Sequence, residues 1–246
     1  MSRPAKFSLT TMQHYLIEDA MGKKSAAEAE KTRKLIVATA RELFAELGFA
    51  GATTSRIAKS AGLTEGAFFH HFKDKKALFA EVVRNLQREL AQAVTVRRQK
   101  SEDPFERFII GARASIELSQ SPEYLRLVLI EAPTILGGEN WREIDAVTSL
   151  SVIEPALVAI AGRDQIDPTD LRPIALMVLG LLNETAFALA RHDDQITIDD
   201  VIDILEVSIR DWQNRLDKPK ATSRKAPVTS ATPGGKSKKL KAGSAK

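Results

Sequence analysis

The sequence predicts an all-α protein in two parts, an N-terminal three-helix domain containing a helix-turn-helix and a larger C-terminal helical body. Three observations predict it. Residues that favour helix ends recur along the chain: Thr53, Thr64, Asp74 and Asp103 before helical runs, Pro104 and Pro122 at helix starts, Gly48 and Gly62 at helix stops. Apolar residues recur at helical spacing, most plainly Leu78, Val82, Leu86, Leu90 and Val94. The stretch 53–72, TTSRIAKSAGLTEGAFFHHF, divides into two short helices around one tight turn.

Taken in order, residues 1–30 show no sustained period. A short helix around Gln13 to Met21 and the small, charged stretch GKKSAAEAEK make a flexible N-terminal extension. The first firm helix opens at Thr32 and ends at Leu47, closed by Gly48, with Leu35, Ile36, Ala40, Leu43 and Phe44 inward. Lys31, Arg33 and Lys34 lie at its start, where helices prefer acids; phosphate contact accounts for them, and so does a solvated face. Thr53 caps the next helix, with Ile57, Ala58 and Ala61 inward, and Gly62 ends it where a left-handed backbone costs least. Thr64 caps its partner, with Leu63 and Phe68 facing back and Gly66 and Ala67 outward. Lacking bulk on that side, this helix can come close to a DNA major groove. An ordinary helical hairpin would show the same spacing.

Asp74 caps a long helix from Lys75 to about Lys100, suited to tie the first domain to the body. Asp103-Pro104 opens a helix to about Ser119, and Ser121-Pro122 opens one through Tyr124, Leu127, Val128 and Glu131, broken near Pro133 and Gly137-Gly138. Trp141 to about Ala161 is helical, with a kink or break at Pro155. Leu171–Arg191 is apolar around much of its circumference, and Thr197–Leu216 has a wide apolar face. Helices apolar on more than one face need several neighbours, which makes this pair the expected dimer interface; burial within one subunit is the alternative.

Charge divides the chain in the same places. Residues 23–80 hold 11 Lys/Arg against 6 Asp/Glu, residues 81–217 hold 14 against 24, and residues 218–246 hold 9 against none, so a net charge of +4 conceals a basic head and tail on an acidic body. The domains are thus 1–30, 31–80, 81–217 and a disordered basic tail, 218–246. The tail either attracts DNA without regard to sequence or is simply solvated. The absence of cysteine excludes disulfides and thiol catalysis. The longest apolar run, Ile174 to Leu182, is about half the ~20 residues of a membrane span, and Met1 to Lys24 lacks a signal-peptide core, so a cytoplasmic location without a membrane partner is expected. His14, His70, His71 and His192 form no metal-type spacing and pair with no nucleophile, so neither catalysis nor a cofactor is expected.

The block from Arg33 to Phe79 is similar to the N-terminal domain of the tetracycline-repressor (TetR/AcrR) family of transcriptional regulators. The similarity lies in the order and spacing of Leu35, Ile36, Ala40, Leu43, Phe44, Gly48, Phe49, Thr53, Ile57-Ala58, Ala61-Gly62-Leu63-Thr64, Gly66, Phe68, Phe69, Phe72, Lys75 and Leu78, about a fifth of the chain. The family usually has a tyrosine where Phe69 stands, whose hydroxyl commonly meets a phosphate; Phe69 cannot donate that bond, so it either packs or leaves the contact to His70 and His71. The resemblance implies a homodimeric regulator on double-stranded, near-palindromic operator DNA, with a small-molecule effector in the C-terminal domain. Thr64, Gly66 and Ala67 are expected at base edges and Thr53, Phe69, His70 and Lys75 along the backbone, with Arg33, Ser55 and Glu65 completing the DNA-facing set. The role of Glu65, a carboxylate among phosphates, is open. Phe108, Tyr124, Val128, Glu131, Trp141, Asn183 and Phe187 are the candidate effector residues, an apolar wall with a few polar groups. A DNA-associated structural protein without sequence preference is the competing reading.

Overall fold

The computed structural model describes residues 9–163 and 166–216, with side chains from residue 26 onward. Among them all regular structure is helical: α1 (Leu9–Gly51), α2 (Thr54–Ser60), α3 (Glu65–His71), α4 (Lys75–Arg98), α5 (Pro104–Ser119), α6 (Pro122–Tyr124, a π-helical stretch Leu125–Glu131, then Ala132–Leu136), α7 (Gly138–Ala161), α8 (Pro168–Ala190) and α9 (Ile198–Leu216). The basic tail and the first eight residues lie outside the described residues.

Local chemistry accounts for most of these boundaries. Thr53, Thr64, Asp74 and Asp103 each accept a backbone N–H from the first turn of the helix that follows them. Three expectations fail. No helix starts at Thr32: α1 runs on from Leu9 through the Ala- and Glu-rich stretch expected to be a flexible extension, and Thr32 Oγ1 donates to Glu28 O as a mid-helix residue does. Nor does Pro133 break α6. The Ala132 N–H bonds Leu127 O, one residue further back than in an α-helix, and this wider turn accommodates a residue that has no N–H to give. Gly137, at φ 90°, ends α6 instead, and α7 passes through Pro155 without interruption.

Two apolar cores form. One gathers Ile36, Phe44, Ile57, Phe68 and Phe79 of the head with Tyr124, Leu127 and Trp141 of the body; the other joins α5, α7, α8 and α9 through Ile116, Leu157, Val178, Leu205 and Ile209. The first crosses the boundary near residue 80, so head and body share buried surface along the N-terminal half of α4. At a mean hydropathy of 1.7, α7 and α8 are long and apolar enough to cross a membrane, yet both supply the second core and α7 carries the buried Asp145.

Candidate functional site

On the outer face of the head, Thr53 Oγ1 accepts Arg56 N and Thr64 Oγ1 accepts Ala67 N, both at 3.2 Å, while Gly62 turns the chain at φ 71°. Thr53, Ser55, Thr64, Glu65, Gly66, Phe69 and His70 are exposed, and Arg33, Ala67 and Lys75 half-buried. A Cβ built on Gly66 would find only Thr64 Oγ1, at 3.8 Å, so nothing inside the chain requires a glycine there. Phe69 is 52% exposed, more than a packing role needs. Burial, His70 and Arg33, in that order, push the titration of His71 down against a smaller upward pull from Glu30, so the Arg33 stretch of α1 lies beside the end of α3. Glu65 accepts Thr54 Oγ1 at 3.4 Å across the α2–α3 turn, a role inside the motif.

Two of the basic residues also work internally. The Arg33 guanidinium lies 4.4 Å from the Phe72 ring centre and 3.3 Å from Glu81. Lys75 Nζ donates to Phe49 O at 2.8 Å over the Phe49 ring, clamping the end of α1 to the start of α4.

The body grips that same end of α1. Glu131 accepts the Phe49 N–H at 2.8 Å and Arg126 Nε at 3.1 Å, and Arg126 Nη1 donates to Ala45 O and Glu46 O at 2.8 and 3.2 Å. Carbonyls left free where a helix ends are thus satisfied by a side chain from α6. Higher up, Arg41 of α1 bonds Glu123 of α6 and Glu89 of α4, which drive its titration upward against the cost of burial.

A cavity of about 80 Å³ lies between α4, α5, α6, α7 and α8, walled by Leu90, Val94, Ala112 and Leu182 among others. Of the residues expected to line it, Phe108, Tyr124 and Asn183 do. The other four do not. Val128 is fully buried in the first core, Trp141 and Phe187 pack on each other at 5.6 Å, and Glu131 holds Phe49 and Arg126. Gln87, Arg98 and Asp145, absent from the expected set, are also part of the lining. Gln87 and Arg98 fall on the apolar face of α4 with Val83, Leu90 and Val94, and Asp145 stands one turn from Trp141, so their helical phase held the signal.

This division into an exposed small-residue helix and a hollow helical body agrees with comparisons to known proteins. Residues 36–82 match the family described as "Bacterial regulatory proteins, tetR family", and residues 105–210 match "Tetracyclin repressor-like, C-terminal domain". A TetR-family transcriptional regulator of known structure from Pectobacterium atrosepticum is 30% identical, with a TM-score of 0.60 over 76% of this chain and 96% of that one. The transcriptional repressor AcnR of Corynebacterium efficiens is 29% identical over 193 residues, 73% of this chain and 93% of that protein. The regulator AcrR of Shigella flexneri matches at the head, 44% identical over 62 residues, 25% of this chain and 29% of that protein. Both halves of the fold, and a relative matched over nearly its whole length, lead to one conclusion: the chain is a DNA-binding transcriptional regulator and belongs to the TetR family.

Proposed function

We propose that the protein is a homodimeric repressor whose two heads hold a near-palindromic operator and release it when a small molecule fills the body cavity. The observation that carries this reading is the position of α6. Tyr124 and Leu129 of that helix line the cavity, while Arg126 and Glu131 of the same helix hold the C-terminal end of α1. A ligand that shifts α6 therefore acts on the head directly, alongside the long α4, which runs from the head into the cavity wall. For release, the ligand must prefer the form that cannot hold the operator; a ~100-fold preference corresponds to about 3 kcal/mol of coupling.

In this reading Thr64, Gly66 and Ala67 meet base edges, and Arg33, Thr53, Ser55, Phe69, His70 and Lys75 lie along the phosphates, with Phe69 making apolar contact where a hydroxyl would donate. Leu176 and Met177 on α8 and Ile204 and Val207 on α9, all exposed in the single chain, support pairing of these helices with their symmetry mates. The protein works in the cytoplasm, beside its DNA.

Sedimentation combined with operator titration tests this. The wild type should be a dimer at micromolar concentration, and Ile204→Glu a folded monomer with at least tenfold weaker operator binding. A monomeric wild type, or random DNA competing as well as operator, would favour the structural protein without sequence preference.

A further inference from the structure

The polar groups of the cavity are unevenly placed. Gln87, Asp145, Ser149 and Asn183 cluster at one end, and Arg98 lies three turns further along α4, about 16 Å at 1.5 Å per residue. The rest of the wall is mostly apolar, with Leu90, Val94 and Phe108, and its remaining polar side chains, Ser115, Ser119, Tyr124 and Thr148, carry only hydroxyls. The stem of Arg98 lies against α5 where Gly111 leaves room, since a Cβ there would sit 2.9 Å from two of its carbons.

Asp145 is 6% exposed and is held only by uncharged donors: Asn183 Nδ2 at 2.5 Å, Ser149 Oγ at 3.1 Å and Gln87 Nε2 at 3.3 Å. A buried carboxylate without a cation is costly, and burial pushes its titration up despite the bonds from Asn183 and Ser149. Arg98 is the one other charged side chain in the lining, three turns away. Beside Asp145, the carbonyl oxygen of Gln87, a residue 3% exposed, is buried with no donor facing it. Tyr124 approaches from α6, its hydroxyl kept protonated by burial and by Asp145. This end of the cavity thus holds a negative charge without a counter-charge and an acceptor without a donor.

On the reading that this cavity is the effector site, we propose that it takes an organic cation: a protonated amine or amidinium on an apolar body, its N–H groups bonding Asp145 and Gln87 Oε1. An ammonium brings donors, positive charge and no acceptor, which is the complement of this end. An alcohol would leave the carboxylate charge unbalanced, and a carboxylate would oppose it. Arg98 repels a cation from the far end and so fixes the orientation, with the apolar part of the ligand along Leu90, Val94 and Phe108.

Calorimetry of the full chain with 2-phenylethylammonium, 2-phenylethanol and 3-phenylpropionate, probes of nearly equal size, tests this. The ammonium should bind at least tenfold more tightly than the alcohol, and 3-phenylpropionate most weakly. Asp145→Asn should bring ammonium and alcohol within threefold while leaving the alcohol's own affinity nearly unchanged. A readout without mutation comes from buffers of different protonation enthalpy: the cation favours ionised Asp145, so its binding should release a proton wherever the empty site is protonated, and the alcohol's should not. Equal or tighter binding of either rival, an ammonium preference that survives Asp145→Asn, or no heat from any probe at millimolar concentration would overturn the proposal. Operator affinity measured in the same samples separates the two readings. If 3-phenylpropionate binds and releases operator, the cation is wrong and the effector site stands; if the ammonium binds as expected and operator is held unchanged, the reverse is true.

Discussion

The carboxylate of Glu131 accepts the backbone N–H of Phe49 at 2.8 Å, so the body holds the head at the residue that follows the left-handed turn of Gly48. Glu131→Ala would leave that N–H and Arg126 Nε without their acceptor, at a cost of about 1–3 kcal/mol. Thermal melting should drop and operator affinity fall with it. Ligand affinity should not fall, because Glu131 is outside the cavity wall and freeing α6 does not oppose its shift; unaltered operator binding would remove Glu131 from the head–body joint.

Gly48 and Gly62 share the same φ of 71°, but their surroundings differ. A Cβ on Gly48 would meet Arg126 Nη2 at 2.7 Å and Glu131 Oε1 at 2.9 Å, whereas one on Gly62 meets nothing within 4 Å. A positive φ costs any alanine about 1–2 kcal/mol, and Gly48→Ala costs more, because at ψ 172° its backbone lies in a region that is essentially glycine-only. Gly48→Ala should therefore destabilise more than Gly62→Ala in chemical denaturation, through both its backbone and the displaced joint. Equal losses would mean that the backbone relaxes and that Arg126 and Glu131 move aside freely.

For the DNA face, Lys75→Ala should weaken operator and random DNA alike and reduce the salt slope by about one phosphate. Its melting temperature should fall as well, because Nζ no longer clamps Phe49 O. Gly66→Glu should fold normally, since the space around Gly66 is open, and should abolish operator binding by bulk and charge. A salt titration of Lys75→Ala that overlays the wild type would remove Lys75 from the phosphate contacts.

Asp145 gives stability a pH dependence of known sign. Its folded-state titration lies above the ordinary carboxylate range, so the folded chain holds the proton more tightly than the unfolded one, and stability falls as pH rises from that range through the raised value. Asp145→Asn removes this loss. The variant should be more stable than the wild type at neutral pH by about 1 kcal/mol or more, with the advantage shrinking on acidification. Melting curves that stay parallel across pH would contradict a buried, unpaired carboxylate.

What could be read from the sequence was local. Thr53, Thr64, Asp74 and Asp103 were legible as caps because their partners lie three residues away. Glu131 was expected in the cavity because helical phase brings it inward, but phase does not say onto what, and its partner Phe49 is far back in the chain. Asp145 was passed over for a similar reason. Beside Arg142 and Glu143 it resembles a solvated face, and only the fold sets Asn183 and Gln87 against it. Thr32 misled in the opposite direction, since a cap residue inside an Ala- and Glu-rich run loses to the propensity of its neighbours.

The central claim is that two heads of a TetR-family dimer read one operator, and selection of binding sites from a random DNA library by the full chain tests it most directly. The account predicts enrichment of a near-palindromic sequence with half-sites about one helical turn, ~34–36 Å, or a multiple of it apart. It predicts further that Gly66→Glu enriches nothing. A single asymmetric half-site, or a recovered pool no different from the starting library, would contradict it.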